Sequence, residues 1–245
     1  MFSSLLTAFN FLTILPLPWR EDAPLSLLGK AVGWFPLTGL AIGAALAGLD
    51  WGLSQVFPPG VTVVLVMAVW LLASGAIHFD GFLDSCDGLF GGKTPEQRLS
   101  IMRDHRVGAF AVAGGGLLLL LRYSALVALP HRTSALLLAP ALSRWAMSMA
   151  IFLFPYARAQ GLGRAMKDHA HWPQALLSTL IALAAAWFIS GLSGLLAMLV
   201  AAATLLLTAL FIRTRIPGLT GDSYGAINEL TEVTILLLFT ALLHK

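Results

Sequence analysis

Apolar runs long enough to cross a bilayer follow one another along almost the whole chain, and the charged residues sit in the short stretches between them. Of the 245 residues only 11% are charged and 58% are hydrophobic, against roughly 25% charged in a soluble domain. So few charges cannot cover a water-facing shell. The pattern predicts an all-α fold, a polytopic transmembrane helical bundle, in which about seven spans of about 20 residues use nearly all of the length. A single integral membrane domain, 1–245, is expected. The net charge of +3 does not signal a nucleic-acid partner, because the Lys and Arg residues are scattered through short loops, as positive-inside topology requires.

Met1 to Leu15 is apolar but short for a span and closes on Pro16-Leu17-Pro18-Trp19-Arg20, so an N-terminal interfacial or re-entrant segment is expected there. Met1 to Asn10 have neither the positive n-region nor the cleavage site of a secretory signal and read as mature protein. The first span is expected over Ala31 to Leu53, where glycines at small-xxx-small spacing, Gly39 and Gly43 among them, permit close helix packing. The second runs from Val61 to about Ile77. Further spans are expected over Val107 to Leu129, Ser134 to Phe154, Pro173 to Ser190, Gly194 to Ile212 and Ile227 to Leu243. Between the second and third, Gly91-Gly92 stops one helix and Thr94-Pro95-Glu96-Gln97 starts another, with Thr94 as N-cap and Gln97 as its capping-box partner. The lone cysteine, Cys86, excludes an internal disulfide framework.

The sharpest chemical signal is His78-Phe79-Asp80-Gly81-Phe82-Leu83-Asp84-Ser85-Cys86-Asp87-Gly88. On a helix Asp80, Asp84 and Asp87 stand at i, i+4 and i+7 and share one face. A divalent cation relieves the repulsion among three such carboxylates, and hard oxygen ligands suit Mg²⁺, Mn²⁺ or Ca²⁺ rather than zinc. The alternative is a solvated acidic face pairing with nearby arginines. A position abutting a span, in a chain with so few charges, favours the metal reading. His78 faces the other side of such a helix and reads as structural or interfacial.

Arg98, Arg103 and Arg106 follow, able to grip phosphate oxygens, although Arg106 serves equally as a topology determinant. Asp104 among them is open to two roles, ligating metal or orienting an arginine. A second cluster runs from Thr214 to Ala226, where Gly218, Gly221 and Gly225 surround Asp222, and continues with Asn228, Glu229 and Glu232. Its amides can cradle an anion, or it is an ordinary glycine-rich turn before a helix. Arg122 and Arg144 fall inside apolar runs and must face a partner or a wet cavity; Arg144 is the better placed for function.

Taken in order, Asn10 to Pro18, Phe35 to Gly39, His78 to Gly88, Arg98 to Gly108, Ser143-Arg144 and Leu219 to Glu229 resemble the cobalamin synthase, or adenosylcobinamide-GDP ribazoletransferase, family over nearly the whole chain. Phe82, Leu83 and Tyr224 depart from its usual form without removing a carboxylate. The resemblance implies an Mg²⁺-dependent enzyme of the bacterial inner membrane with its active site facing the cytoplasm. Its partners would be adenosylcobinamide-GDP and α-ribazole or its 5′-phosphate, and its products adenosylcobalamin, or its 5′-phosphate, and GMP. Joined to the residues above, this gives Asp84, Asp87, Asp104 and Asp222 as catalytic. Arg98, Arg103, Arg106, Arg144, Gly221 and Asn10 become substrate-binding, and Asp80, Asp84, Asp87, Asp222 and Glu229 metal ligands. A homo-oligomer is compatible with all of this. Since phosphoryl transfer needs its groups to converge on one pyrophosphate, the loop Gly218 to Gly225 is expected to close over the first aspartate cluster. A cation-coupled transporter is the alternative class, weighed down by the lack of internal repeats and by carboxylates at a membrane surface rather than mid-span.

The loops holding Asp80 to Arg106, Arg158 to Lys167 and Arg213 to Gly225 carry most of the basic residues and should be cytoplasmic. Cysteines placed in them, in a background with Cys86 replaced, should react with impermeant thiol reagent only from that side; labelling from the other side would overturn the topology.

Overall fold

A computed structural model describes residues 2–15 and 24–243. Pro16 to Pro18 and the Arg20 loop lie outside them. The elements are α1 Phe2–Leu12, α2 Ser26–Ala31, a 3₁₀ turn Val32–Trp34, α3 Phe35–Leu53, α4 Pro59–Ala73, α5 Ile77–Gly91, α6 Pro95–Ile101, α7 Ala109–Ala128, α8 Thr133–Leu153, α9 Leu162–His169, α10 Trp172–Arg213 and α11 Gly221–Leu243. Outside the helices the described residues form loops and one isolated parallel bridge between Tyr156 and Leu219.

The centre of the bundle is α8, in which every residue from Leu138 to Ile151 is buried. Helices α3, α10 and α11 pack around it. The contact with α3 depends on missing side chains: a Cβ on Gly39 would collide with the carbonyl of Pro140, and one on Gly43 would stand 2.6 Å from the carbonyl oxygen of Leu136. Pro140 has no N–H to offer that Leu136 carbonyl, so α8 has a free acceptor where α3 comes closest.

Helix α10 contains 42 residues, about 63 Å if straight. Gly191, at φ 54° and ψ −127°, breaks it. Because a Cβ on Gly194 would collide with the carbonyl of Ala186, eight positions earlier, the chain folds back there as a hairpin of two helical arms. The break falls inside the loop expected at Gly191 to Ser193. Counting α10 once, five helices are long and apolar enough to span, or six if the bent pair α4–α5 is one span. The expected number of about seven turns on counting the arms of α10 separately.

Three boundaries differ from expectation. The last span begins at Gly221, not Ile227, so most of the expected loop Gly218 to Gly225 is the first turn of α11. The first span begins at Ser26 and reaches α3 through the 3₁₀ turn. The second ends at Ala73, not Ile77, because Gly75 and Ala76 both adopt positive φ and α5 departs at 87° from α4. Ala76 is the one non-glycine with positive φ among the described residues. Helix α5 therefore leaves the direction of the spans. Helix α1 has 11 residues, too short to cross, and packs on α2 and α3, in keeping with the expected N-terminal segment. Farther along, Gly91 ends α5, and the Thr94–Gln97 capping box starts α6 as expected.

The buried charges tie α11 to its neighbours. Arg122 of α7 donates from Nη2 to Glu229 at 2.8 Å and to Glu232 at 2.6 Å. Arg144 of α8 forms a very short ion pair with Glu232, which also accepts from Ser143, Asn228 and the indole of Trp70. The Arg122 guanidinium lies 4.8 Å from the Trp70 ring centroid.

Gly39→Ala should cost about 1–3 kcal/mol through overpacking and lower the thermal midpoint in detergent. Gly48→Ala, whose Cβ meets no heavy atom within 4 Å, should leave it unchanged or raise it, since alanine is the better helix former. Equal behaviour of the two would remove the close α3–α8 approach as the cause.

Candidate active site

Helix α5 presents Asp80, Asp84 and Asp87 along one face, and the segment from Met102 to Val107 covers that face to enclose a cavity of about 200 Å³. Asp104, Arg103, His105 and Arg106 line it too. The three aspartates are not equivalent. Asp87 accepts from the amide of Gly108 at 2.6 Å and from that of Ala111 at 2.9 Å. It thus satisfies two of the free N–H groups that open α7 and places a negative charge at the positive end of that helix. Gly108 is required for this: its Cβ would lie 2.6 Å from Asp87 Oδ1. Neither Asp80 nor Asp84 is engaged by a hydrogen bond or ion pair among the described residues. Burial, with the carboxylates of Asp80 and Asp222 beside it, pushes the Asp84 carboxyl up to about 7.

Asp104 accepts from Arg106 at 2.7 Å, and this bond draws its carboxyl down to about 2. The pair is exposed, so the geometry matches the orienting role among the two expected for Asp104. Arg98 is turned elsewhere: its Nε donates to the carbonyl of Gly92 and its Nη1 to that of Arg215, both at 3.0 Å, bracing α6 against the loop between α10 and α11.

The start of α11, which follows that loop, reaches the aspartates. Thr220 caps α11 by accepting from the amide of Ser223, and the next residues press onto α5. A Cβ on Gly81 would lie 2.9 Å from Cα of Asp222, and one on Gly225 would lie 2.7 Å from the carbonyl oxygen of His78. Asp222 accepts from Arg158 at 2.7 Å and from Thr220 at 3.3 Å. Over a hundred residues apart in sequence, the two acidic segments are neighbours in space.

A larger cavity, about 580 Å³, adjoins the acidic one, with Arg103 on the wall of both. It is lined by Phe11, Phe35, His78, Tyr156, Arg158 and Tyr224, with Gly221 at the α11 end. Asp80, Asp84, Asp87, Asp104, Asp222, Arg103, Arg106 and Gly221 are therefore gathered around two adjoining spaces. Glu229 and Arg144 are held instead in the buried ion cluster deeper along α11. Asn10 lies on α1 beside Phe11, its side-chain amide nitrogen buried without a partner. Sequence reasoning passed over Tyr156 and took Arg158 only as part of a basic loop; what marks them is contact with Leu219 and Asp222, and no local spacing encodes that. No three His, Cys, Asp or Glu side chains among the described residues close into a preformed metal site.

A family model described as Cobalamin-5-phosphate synthase matches residues 4–240. The chain belongs to that family. Among curated relatives, a protein of Desulforamulus reducens named adenosylcobinamide-GDP ribazoletransferase is 37% identical over 241 residues, 97% of this chain and 96% of its own. Proteins of the same name from Pseudomonas paraeruginosa and Deinococcus radiodurans are 41% and 40% identical, each over 96% of this chain and over 96% and 84% of their own lengths. No solved structure matches. Membership makes the chain an enzyme, a transferase of cobalamin biosynthesis, and removes the transporter alternative.

Asp87→Ala should destabilise the protein by about 1–2 kcal/mol, the cost of losing a helix cap, seen as a lower thermal midpoint. Asp84→Asn removes a partly buried charge that no donor satisfies and should not lower it. If both variants melted alike, the different roles assigned to these aspartates would be wrong.

Proposed function

We propose that the protein transfers the cobinamide phosphate of adenosylcobinamide-GDP to the 5′-hydroxyl of α-ribazole or its 5′-phosphate, releasing GMP, with Mg²⁺ as the metal. Family membership supports the reaction class. The observation that carries the site is the pair of unengaged carboxylates, Asp80 and Asp84, facing Arg103 across one small cavity beside Asp222.

The donor set fits Mg²⁺. That ion is usually held by one or two carboxylates and completed by substrate phosphates and water rather than by an all-protein cage. Two open aspartates without a third are what such a site offers before the pyrophosphate arrives. Asp80 and Asp84 would hold the ion, which when bound neutralises charge on the pyrophosphate. Asp87, with both oxygens on backbone amides, holds the start of α7 and hence the covering segment against the site. Arg103 and Arg106 stand over the cavity, where guanidinium groups bind and orient phosphate oxygens. Arg158, on the wall of the larger cavity, holds Asp222. The attacking 5′-oxygen forms its bond to the cobinamide-bearing phosphorus as the bond to the GMP oxygen breaks, and a carboxylate of this group takes the hydroxyl proton.

The segments that build the site, at Asp80 to Arg106, Tyr156 to Arg158 and Arg215 to Asp222, meet at one end of the bundle. Their basic residues support a cytoplasmic orientation at the bacterial inner membrane.

Purified protein given adenosylcobinamide-GDP, α-ribazole and Mg²⁺ should release GMP. Asp80→Asn and Asp84→Asn should each lower that rate by about two orders of magnitude or more, as loss of a group stabilising transition-state charge does, with the thermal midpoint kept. A chelator should abolish turnover and added Mg²⁺ restore it. Near-normal, chelator-resistant rates in both variants would reject the metal assignment.

A further inference from the structure

We infer that the larger cavity is the subsite for the aromatic base of the nucleoside acceptor, with His78 as the residue that recognises a nitrogen of that base. The inference rests on the acceptor proposed above. At about 580 Å³ the cavity lies in the range that encloses a small organic ligand. Its walls carry two aromatic pairs: Phe11 and Phe35, stacked with centroids 6.0 Å apart and 10° between planes, and Tyr156 and Tyr224, 6.0 Å apart and tilted by 31°. Flat faces of this kind receive a planar ring.

Polar groups on the wall lack partners. His78 is 4% exposed and its Nε2 has no hydrogen-bond partner; the buried hydroxyl of Tyr224 has none either. Unpaired groups in an apolar cavity are costly until a ligand satisfies them. A benzimidazole base presents one free ring nitrogen and otherwise apolar surface, which matches this sparse polar set. Guanine, the other base in the reaction, does not. Its amino and ring N–H groups need several acceptors along one edge; among the described residues no Asp or Glu lines the cavity, and Gln160 brings the one side-chain carboxamide.

Position supports the same assignment. Gly221 lines the cavity, Asp222 follows it in the chain, and Arg158 on the cavity wall pairs with Asp222. Arg103 faces the acidic cavity as well. A nucleoside seated by its base therefore points its ribose, and with it the 5′-hydroxyl, toward the carboxylates. His78 acts here on binding and position, not on the reacting atoms.

Two variants and two readouts test this. His78→Leu removes the polar group while the backbone contact with Gly225 remains. Gly221→Val adds bulk to the cavity wall, and its Cβ would meet no heavy atom from elsewhere in the fold within 4 Å. Equilibrium dialysis of α-ribazole against purified protein, without donor or metal, should show binding weakened about tenfold or more in both, a change of about 1.4 kcal/mol. In turnover, KM for α-ribazole should rise by a similar factor and KM for adenosylcobinamide-GDP stay within about twofold, and His78→Gln should recover part of the loss. Unchanged binding in both variants, or a rise confined to the donor's KM, which would make this the guanine site, overturns the inference. Failure of the wild type to bind α-ribazole overturns it too. If wild type binds α-ribazole and the variants do not, yet no GMP is released, the subsite stands and the proposed reaction falls.

Discussion

The orientation of α11 rests on one carboxylate. Glu232 accepts from Arg122, Arg144, Ser143, Asn228 and Trp70, contributed by α7, α8, α11 itself and α4. A charge at that depth is tolerable only when every lone pair is met, and removing one partner of such a set costs about 3–5 kcal/mol. Asp222, Gly225, Glu229 and Glu232 recur at spacings of three and four residues, so they lie on one stripe of the helix. Fixing Glu232 therefore fixes the rotation that turns Gly225 to α5 and Asp222 to the aspartates of that helix.

The facing stripe of α5 is cut to match. His78, Gly81, Ser85 and Gly88 follow the same helical spacing, and Gly81 and Gly225 remove the atoms that would hold the two backbones apart. Gly88 does the same toward α6, where its Cβ would lie 2.9 Å from the carbonyl oxygen of Arg98. The neighbouring stripe, Asp80, Asp84 and Asp87, is thereby held at a set distance from both Asp222 and the arginine segment. Rigid helices position the charges, and the covering segment from Met102 to Val107 contributes the cations.

Features governed by local chemistry were legible in the sequence. The shared face of the three aspartates follows from helical period, the start of α6 from Thr94, Pro95 and Gln97, and the fold-back at Gly191 from an uncharged Gly-containing loop between apolar runs. The pairing of Arg122 and Arg144 followed from the cost of leaving either alone in an apolar run. What was not legible depends on contacts between distant segments. Asp87 has the same local context as Asp84, and only the arrival of α7 turns it into a cap. Arg98 reads like Arg103 until the Arg215 carbonyl appears beside it. The break after α4 is set by Ala76 in a conformation its side chain does not favour, which no residue rule anticipates.

The same separation explains where the chemistry is allowed to be. Backbone without helical pairing can exist at membrane depth only when protein or water satisfies it, and here such backbone is concentrated at one end: the turn at Gly75–Ala76, the segment from Met102 to Gly108, the Tyr156–Leu219 bridge and the approach to α11. The pyrophosphate-bearing substrate proposed above needs that kind of backbone and charge, with water at hand. The deeper ions are already neutralised by one another, two arginines against two glutamates, and have little pull on a phosphate ligand. The unengaged acids and the exposed arginines lie together at the open end, so the bundle divides its few charges between those that hold helices in place and those left free to meet a substrate.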